Sequence, residues 1–414
     1  MGLMASLLGR GSKGAIEKEW AVSLGSRISS QIVTGYIDEE SVVACTSTGV
    51  ICALSSSGQL KWTFSTLTSV SRSDAFFLEG GGASSIKSTP VIADINQDGK
   101  GEVICGSQHG TLYALDCKGR LLWAFRAQDS INGSVCVADI NNDRKPEILF
   151  GSNDGNLYAL TSLGKLLWKF NAGSAIESHP VFSRDINQVI FGADNGSVYS
   201  LSGTGRKLWE FKTYAKITAQ PVIGDLYGDG RKFIVAGSLD TNLYTIASDG
   251  KLEWFYKTEG KIFSKAVLAD VNSDKKMEVI FGSCDDKLHV LSAFGNKIWD
   301  YETDFWIVAS PLVSDFDGDN RLEVAIGSYD GFVYLLEAEG KYSLDYIPGI
   351  SGITSQAGNY TDVALSEPGS YRGILLSKYK TEGTIVGQGI LNGGKAMVAA
   401  SDIGKIYKLK YKKD

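Results

Sequence analysis

The chain of 414 residues contains 41 lysine and arginine residues against 47 aspartate and glutamate residues, a formal net charge of −6. Hydrophobic residues make up 43% of the sequence, which is enough apolar material for a packed core. No apolar run approaches the roughly 18 residues of a membrane span, and no basic block stands out beyond the tail KIYKLKYKKD. A transmembrane segment and a nucleic-acid partner are therefore not expected.

Residues 1–15 are predicted to form a flexible N-terminal tail. The opening MGLMAS fits the M-G-x-x-x-[ST] pattern, so N-myristoylation at Gly2 stays open as an alternative. No charge precedes the short apolar stretch, which argues against a secretory signal. The six cysteines lack the dense spacing of a disulfide framework. We therefore expect a reducing, cytoplasmic location, with an extracytoplasmic or membrane-associated one as the alternative.

A repeat begins near residue 16 and continues to residue 411. It is most visible in ALDCKGRLLW at 114–123 and ALTSLGKLLW at 159–168, and it returns around later tryptophans. The tryptophans at 123, 168, 209, 254 and 299 are separated by 45, 41, 45 and 45 residues. A period in the forties indicates a repeat architecture, which overrides any domain count taken from length.

Each period contains four short apolar runs, as in PVIAD, EVICGS, TLYAL and LLWAF, separated by Gly, Asp and Asn turns. Such runs predict strands and hairpins. Four antiparallel strands per repeat are typical of a β-propeller blade. We interpret the tryptophan at the end of each repeat as a packing residue.

The third-strand motif occurs eight times, and its last copy, SDIGKIYKL, has no fourth strand after it. The chain starts with EKEWAVSL, a fourth strand without its first three. We therefore predict an all-β, eight-bladed propeller over residues 16–411, in which the N-terminal strand completes the C-terminal blade. Seven blades stay as an alternative because 343–384 is irregular. The segments 65–86 and 343–384 are predicted insertions, and 412–414 a short tail.

Four of the repeats carry an acidic loop between the first and second strands. Alternate oxygen-bearing side chains followed by a glutamate suit a hard cation, Ca²⁺ before Mg²⁺. The predicted metal ligands are Asp94, Asn96, Asp98 and Glu102; Asp139, Asn141, Asp143 and Glu147; Asp270, Asn272, Asp274 and Glu278; and Asp315, Asp317, Asp319 and Glu323. The simpler alternative is that these side chains only bond the backbone of the turn. Four matches at one spacing favour structural Ca²⁺ sites.

The repeat unit resembles the PQQ-like propeller repeat, and its acidic loop resembles the calcium loops of FG-GAP (VCBS-type) repeats. The resemblance extends over nearly the whole chain. It implies a propeller fold, and the families it names include quinone-cofactor dehydrogenases as well as binding proteins. A PQQ cofactor is not expected, because the adjacent cysteine pair common in those dehydrogenases is missing here.

The residues that open each first strand form a second pattern. Segments such as IKSTPV, IESHPV and IFSKAV place a different polar residue at their fourth position, where first strands line a propeller channel. This predicted ring consists of Gln31, Thr89, Ser134, His179, Gln220, Lys265 and Ser310. Simple hydration of the channel is the preferred explanation, and the ring is the best candidate for a small-molecule pocket.

No catalytic motif emerges, since the three histidines lack metal or triad spacing. The sequence therefore favours a non-enzymatic binding or scaffold subunit that contacts a protein partner through a blade face or the insertions. A small-molecule sensor or a quinone-type oxidoreductase at the channel is the alternative.

Overall fold

The structure, a computed structural model, describes residues 14–66, 85–343 and 370–413. Within these ranges the chain forms 32 β-strands and no α-helix. The strands group into eight blades of four antiparallel strands each, ordered from an inner strand at the channel to an outer strand at the rim. The predicted eight-bladed propeller is confirmed, and the seven-bladed alternative is wrong.

The first four blades follow one another along the chain. Blade 1 contains β2 (Val33–Tyr36), β3 (Glu40–Cys45), β4 (Val50–Ser55) and β5 (Leu60–Ser65). Blade 2 contains β6 (Val91–Ala93), β7 (Glu102–Gly106), β8 (Thr111–Leu115) and β9 (Leu121–Arg126). Blade 3 contains β10 (Cys136–Ala138), β11 (Glu147–Gly151), β12 (Asn156–Thr161) and β13 (Leu166–Asn171). Blade 4 contains β14 (Val181–Ser183), β15 (Gln188–Gly192), β16 (Ser197–Ser202) and β17 (Lys207–Lys212).

The remaining blades keep this order, and the last one uses both ends of the chain. Blade 5 contains β18 (Val222–Gly224), β19 (Phe233–Gly237), β20 (Asn242–Ala247) and β21 (Leu252–Lys257). Blade 6 contains β22 (Val267–Ala269), β23 (Glu278–Gly282), β24 (Lys287–Leu291) and β25 (Lys297–Glu302). Blade 7 contains β26 (Leu312–Ser314), β27 (Glu323–Gly327), β28 (Phe332–Ser343) and β29 (Ser370–Lys380). Blade 8 contains β30 (Ile385–Leu391), β31 (Ala396–Ser401), β32 (Lys405–Lys413) and β1 (Gly14–Ser23).

The N-terminal strand closes the propeller as predicted. β1 pairs antiparallel with β32 from Gly14 opposite Lys413 to Ser23 opposite Lys405, with one irregularity on the way. The inner strand β30 neighbours β2, so the ring of inner strands has no gap between blades 8 and 1. Both strands of the closure extend slightly beyond the predicted limits of 16 and 411. The rest of the N-terminal tail, with Gly2, lies outside the described residues.

The core is divided among the junctions between blades. The second and third strands of a blade are continuous apolar runs with both faces buried, whereas the outer strand alternates between exposed and half-buried positions. Eight clusters of buried apolar residues result, one at each junction. The fully buried Phe150, for example, packs with Leu112 of blade 2 and Tyr158 of its own blade. A continuous apolar strand is favourable here because a neighbouring blade covers each face.

The repeated tryptophans fasten seven of these junctions. Trp168 on β13 lies against Gly205 in the turn between β16 and β17, and its indole N–H donates to the Gly203 carbonyl at 3.0 Å. A Cβ at Gly205 would lie only 2.8 Å from the indole, and this glycine has φ +80°, so the turn requires glycine on both grounds. The same contact recurs for Trp20, Trp62, Trp123, Trp209, Trp254 and Trp299. The structural interpretation of these tryptophans is therefore confirmed.

The junction between blades 7 and 8 uses another device. On β29 the position of the tryptophan is occupied by Ser377, which lies opposite Leu335 of β28. Its hydroxyl accepts a hydrogen bond from the backbone N–H of Ile16 on β1 at 3.0 Å. The closing strand itself thus holds the one junction that lacks the indole among the described residues.

Blades 6 and 7 are joined into one eight-stranded sheet. β25 and β29 pair in parallel at two positions, Trp299 opposite Tyr371 and Asp300 opposite Arg372. This pairing and the long β28–β29 hairpin cover Trp299, which is fully buried while the other repeat tryptophans stay partly accessible. The predicted irregular segment 343–384 is thus partly wrong, because 370–380 is a regular strand. Residues 344–369, and 67–84 of the first predicted insertion, lie outside the described residues.

Candidate functional site

The antiparallel order of the strands gives the propeller two different faces. Inner and third strands begin at the face where second and outer strands end. We call this face, which carries the connections between blades, the connection face, and the opposite one, which carries the acidic loops and the glycine turns beneath the tryptophans, the loop face. The predicted ring lies at the connection face and the predicted metal ligands at the loop face.

The acidic loop of blade 2 is held together by its own side chains. Asp94 accepts hydrogen bonds from the backbone N–H groups of Asp98 at 3.1 Å and Gly99 at 2.9 Å. The buried Glu102 accepts from the Ile95 N–H at 2.9 Å and from the Asn96 amide nitrogen at 3.0 Å. The Asn96 nitrogen also donates to Asp98 at 3.3 Å, so an amide donor occupies the space between the carboxylates.

The loops of blades 3 and 6 repeat this arrangement. Glu147 accepts from the Asn141 amide at 3.1 Å, and Glu278 accepts from the Asn272 amide at 3.3 Å. In all three loops the asparagine oxygen accepts the N–H of the aspartate two residues later. The amide oxygen that a cation would need is therefore already bonded to the backbone. The geometry of these three loops matches the turn-bonding alternative.

The loop of blade 7 differs because Asp317 replaces the asparagine. Oxygen atoms of Asp315, Asp317, Asp319 and Glu323 all lie within 4.8 Å of one another. In the described part of the chain, no other loop gathers three or more acidic, histidine or cysteine ligands this closely. Four carboxylates without an intervening amide form a site of high negative charge, and such a donor set suits a hard cation.

A lysine supplies positive charge to this cluster in the structure. The Lys413 ammonium on β32 lies 2.9 Å from Asp317 Oδ2 and 2.9 Å from Asp319 Oδ2. These two bonds raise the pKa of Lys413 above its ordinary value. Burial, with the neighbouring aspartates, raises the pKa of Glu323 to about 7. A cavity of about 610 Å³ adjoins the cluster and reaches Asp270 of blade 6.

The blade 5 loop has lost the ligand set in the way the sequence indicates. Asp225 still accepts from the N–H groups of Gly228 and Gly230. Tyr227 stands at an asparagine position and packs edge-on against Phe233, which replaces the glutamate. Aromatic packing thus takes over the role of the buried carboxylate.

The predicted ring forms at the mouth of the channel on the connection face. Its members each lie two residues before an inner strand, and some neighbouring members are hydrogen-bonded. The Ser134 hydroxyl donates to the Thr89 carbonyl at 2.7 Å, and the Lys265 backbone N–H donates to Ser310 Oγ at 3.3 Å. Blade 8 adds Gln388, which donates to the Ser310 carbonyl at 3.2 Å and which the sequence analysis missed. The spacing from Ile385 to Gln388 equals that from Ile131 to Ser134, a signal that was available.

The two ionisable side chains of the ring, His179 and Lys265, lie in blades 4 and 6, on either side of Gln220 in blade 5. His179, Gln220 and Lys265 are each half-buried. Burial and the charge of Lys265 lower the pKa of His179 to about 4, against a hydrogen bond with Gln220 that raises it. Burial also lowers the pKa of Lys265. At neutral pH the ring therefore presents a neutral imidazole beside one cation.

Exposed aromatic side chains occupy three consecutive connections, two of which also carry Gln220 and Lys265 of the ring. Tyr214, between blades 4 and 5, is 92% exposed. Phe263 follows in the next connection, and Phe305 and Trp306 in the one after, with ring centroids 5.2 Å apart. The sequence analysis missed this set because these residues lie outside the repeated motifs. We call Tyr214, Phe263, Phe305 and Trp306 the aromatic patch.

Sequence comparison identifies the repeat with a known domain. The sequence model of the lambda-carrageenase beta-propeller domain matches residues 90–138, 127–183, 174–254 and 233–347, which together span 90–347. The overlapping matches follow successive blades. The narrower resemblance to PQQ-like and FG-GAP repeats stays a prediction. No curated protein matches the sequence.

Solved structures share the fold at low sequence identity. BamB from Moraxella catarrhalis is 17% identical with a TM-score of 0.65, covering 95% of this chain and 97% of BamB. The C-terminal WD40 domain of Sif2 is 11% identical with a TM-score of 0.64, covering 96% and 98%. BBS1N, in complex with ARL6DN, is 12% identical with a TM-score of 0.54, covering 80% and 94%. These similarities show the fold alone. The described ranges contain no helix that is long and apolar enough to cross a membrane.

Proposed function

This chain belongs to the family of the lambda-carrageenase beta-propeller domain, and we propose that it uses the fold as a non-enzymatic scaffold that binds a protein partner on its connection face. Family membership does not assign the activity of the enzyme in the family description to this chain, because one fold supports many functions. The function has to be argued from the surface itself.

The aromatic patch is the observation that carries this proposal. Three consecutive connections expose Tyr214, Phe263, Phe305 and Trp306 on one face of a rigid ring. Exposed apolar surface of this kind marks interaction sites, and Tyr and Trp are enriched among residues that dominate binding energy. Connections on a rigid scaffold can vary without disturbing the core, which makes them suitable for recognition.

The similar structures are consistent with such a role. The BBS1N structure contains ARL6DN as a partner in a complex. Use of a similar fold in a complex supports partner binding here.

The proposal is tested by comparing two single-residue variants in affinity purification from the native source. Trp306→Ala removes an aromatic from the patch, and Leu163→Ala removes a side chain that is 71% exposed in a turn of the loop face. We expect Trp306→Ala to reduce recovery of a specific partner about tenfold or more, a typical hot-spot loss. Leu163→Ala should recover it as the wild type does. Equal recovery with Trp306→Ala and with Tyr214→Ala would overturn the assignment to this face.

We further propose that Asp315, Asp317, Asp319 and Glu323 hold Ca²⁺ as a structural ion. Bound there, the ion would neutralise carboxylates that otherwise depend on Lys413, and it would hold the aspartates of the β26–β27 loop to Glu323 at the start of β27. The residues fit a cation because an ammonium group already bonds two of them. The Asn-containing loops need no ion to satisfy their carboxylates, so the proposal for calcium is confined to blade 7.

The cysteines support a reducing, cytoplasmic location. All six are free thiols, including Cys45 and Cys105, whose sulfur atoms lie 3.4 Å apart in neighbouring blades. Burial and the neighbouring thiol raise the pKa of Cys45. Such a thiol is unreactive and behaves as a small apolar side chain.

A further inference from the structure

Lys265 is a cation without a counterion among the residues that the structure describes. It is half-buried at the mouth of the channel, and burial lowers its pKa. Among the described residues no carboxylate forms an ion pair with it; the lysine ion pairs in these ranges all involve other residues. A buried charge is normally paired, because removing it from water is costly.

The ring residues around Lys265 offer hydrogen bonds but no negative charge. His179 and Gln220, which are hydrogen-bonded to each other, follow one another in the two preceding ring positions. Ser310, in the next position, has its hydroxyl 3.3 Å from the Lys265 backbone nitrogen. The other ring members, including Gln388, are neutral. Lys265 is thus the one charged side chain of the ring.

A cavity extends from Lys265 between the inner strands of blades 5 and 6. It has a volume of about 370 Å³, and its walls include Val222, Ile223, Val267 and Leu268. Asp225 borders the cavity at the loop-face end of the inner strand, where it keeps its charge and both its oxygens accept backbone N–H groups of the blade 5 loop. The cavity therefore combines apolar walls with one available cation. Its volume lies within the range of small-ligand sites.

We propose that this cavity binds a small organic carboxylate, whose negative group lies at Lys265 and whose apolar part lies along the inner strands of blades 5 and 6. The neutral imidazole of His179 and the amide of Gln220, in the two preceding ring positions, do not compete for the charge of the ammonium. A carboxylate with a short hydrocarbon chain matches both halves of the cavity. This site does not include the aromatic patch, so the tests of carboxylate binding and of partner binding can give different outcomes.

The test uses the full chain and hexanoate as the probe, with binding followed by calorimetry. For a ligand of this size we expect saturable binding with a dissociation constant on the order of 1 mM. Hexanamide, which has the same shape without the charge, should bind at least about tenfold more weakly, as should acetate, which lacks the apolar chain. Absence of saturable hexanoate binding, or equal binding of hexanamide, would overturn the proposal.

Two lysine variants locate the site. Lys265→Met keeps an unbranched side chain one atom shorter and removes the charge, and it should weaken hexanoate binding about tenfold or more. Lys261→Met changes an exposed lysine of the same connection and should bind as the wild type does. Unchanged affinity in a folded Lys265→Met protein would contradict the assignment.

A measurement on the wild type keeps the proposal testable if Lys265→Met does not fold. Reductive methylation followed by peptide mass spectrometry gives the reaction rate of each lysine. Hexanoate should slow the modification of Lys265 and leave that of Lys261 unchanged. Equal rates at Lys265 with and without hexanoate would show that the carboxylate binds elsewhere or not at all.

Discussion

The two faces of the propeller are built on opposite rules. On the loop face, equivalent positions of successive blades carry the same residue type, as the indole above a glycine turn does at seven junctions. On the connection face, equivalent ring positions differ from blade to blade, with His179, Gln220 and Lys265 in succession. The repeated residues contact other residues of the chain, whereas the residues that vary between blades are available for binding. The comparison assigns stability to the loop face and recognition to the connection face.

The blade 7 loop departs from the rule of the loop face by a change of charge. Where Asn96 donates to the carboxylates around it, Asp317 adds a further negative charge, and the cluster then depends on Lys413 from a distant strand. A single change from amide to carboxylate thus converts a self-sufficient turn into one that needs a cation. The following changes test both parts of the comparison, beginning with the largest expected effect.

Removing a tryptophan from each face should have unequal consequences for stability. Trp168→Ala removes the packing on Gly205 and the hydrogen bond to Gly203, so we expect a loss of about 3 kcal/mol in the free energy of unfolding. Trp306→Ala, on the connection face, should change it by less than about 0.5 kcal/mol. Denaturant unfolding of both variants measures the difference. Similar losses in the two proteins would remove the distinction between the faces.

Exchanging amide and carboxylate between two loops should exchange their response to calcium. In the wild type, calcium at about ten times its dissociation constant should add about 1.4 kcal/mol to the free energy of unfolding. Asp317→Asn should abolish this gain, and Asn96→Asp should create a second one while lowering stability in EDTA. Thermal unfolding with calcium and with EDTA follows both effects. A wild type that does not respond to calcium would contradict the proposed site.

Removing the internal cation should strengthen calcium binding. Lys413→Met takes away the ammonium that bonds Asp317 and Asp319, so calcium no longer has to displace it. Since each exposed ion pair is worth up to about 1 kcal/mol, we expect an affinity about fivefold higher, measured by calorimetry. Lys410→Met, on the same strand, is the matched control. Weaker calcium binding in Lys413→Met would mean that the lysine assists the ion.

Acidification should weaken the connection face through His179. Its pKa of about 4 in the folded protein lies below the ordinary value, so the unfolded chain takes up the proton more readily. The contribution of neutral His179 to the free energy of unfolding is complete above about pH 6.5 and is lost as the pH falls towards 4. At pH 6 the loss is below about 1 kcal/mol. His179→Gln should remove this part of the pH dependence. If His179→Gln had the same pH dependence of stability as the wild type, a group other than His179 would take up the proton.

Much of the fold was predictable because a tryptophan recurs at the same position in successive repeats. The spacing from Trp123 to Trp299 fixes the blades, and the unpaired strand around Trp20 predicts the closure. The parallel pairing at Trp299 was not predictable, since β29 lies in a stretch without the repeat and its register depends on tertiary contacts. Sequence also placed the ring, because each ring residue is the third residue after an isoleucine.

The predictions for the loops were less complete, for a reason of geometry. The spacing of Asp94, Asn96, Asp98 and Glu102 equals that of the blade 7 loop, yet the direction of one amide group separates them. Lys413 is 96 residues from Asp317 along the chain, so only the closed ring brings the two together. Metal binding at any of these loops stays a prediction that the calcium measurements address.

The pairing of β1 with β32 also imposes an order on biosynthesis. Blade 8 draws its outer strand from residues that leave the ribosome early and its other three strands from residues that leave it late. The last blade cannot assemble until Lys413 has emerged, although blades 1 to 6 have by then been complete for some time. Until that moment the nascent chain exposes the unpaired edge of β1 and the open flank of blade 1. Pairings this distant in sequence form slowly, so the final step of folding is the one most exposed to misassembly with another chain.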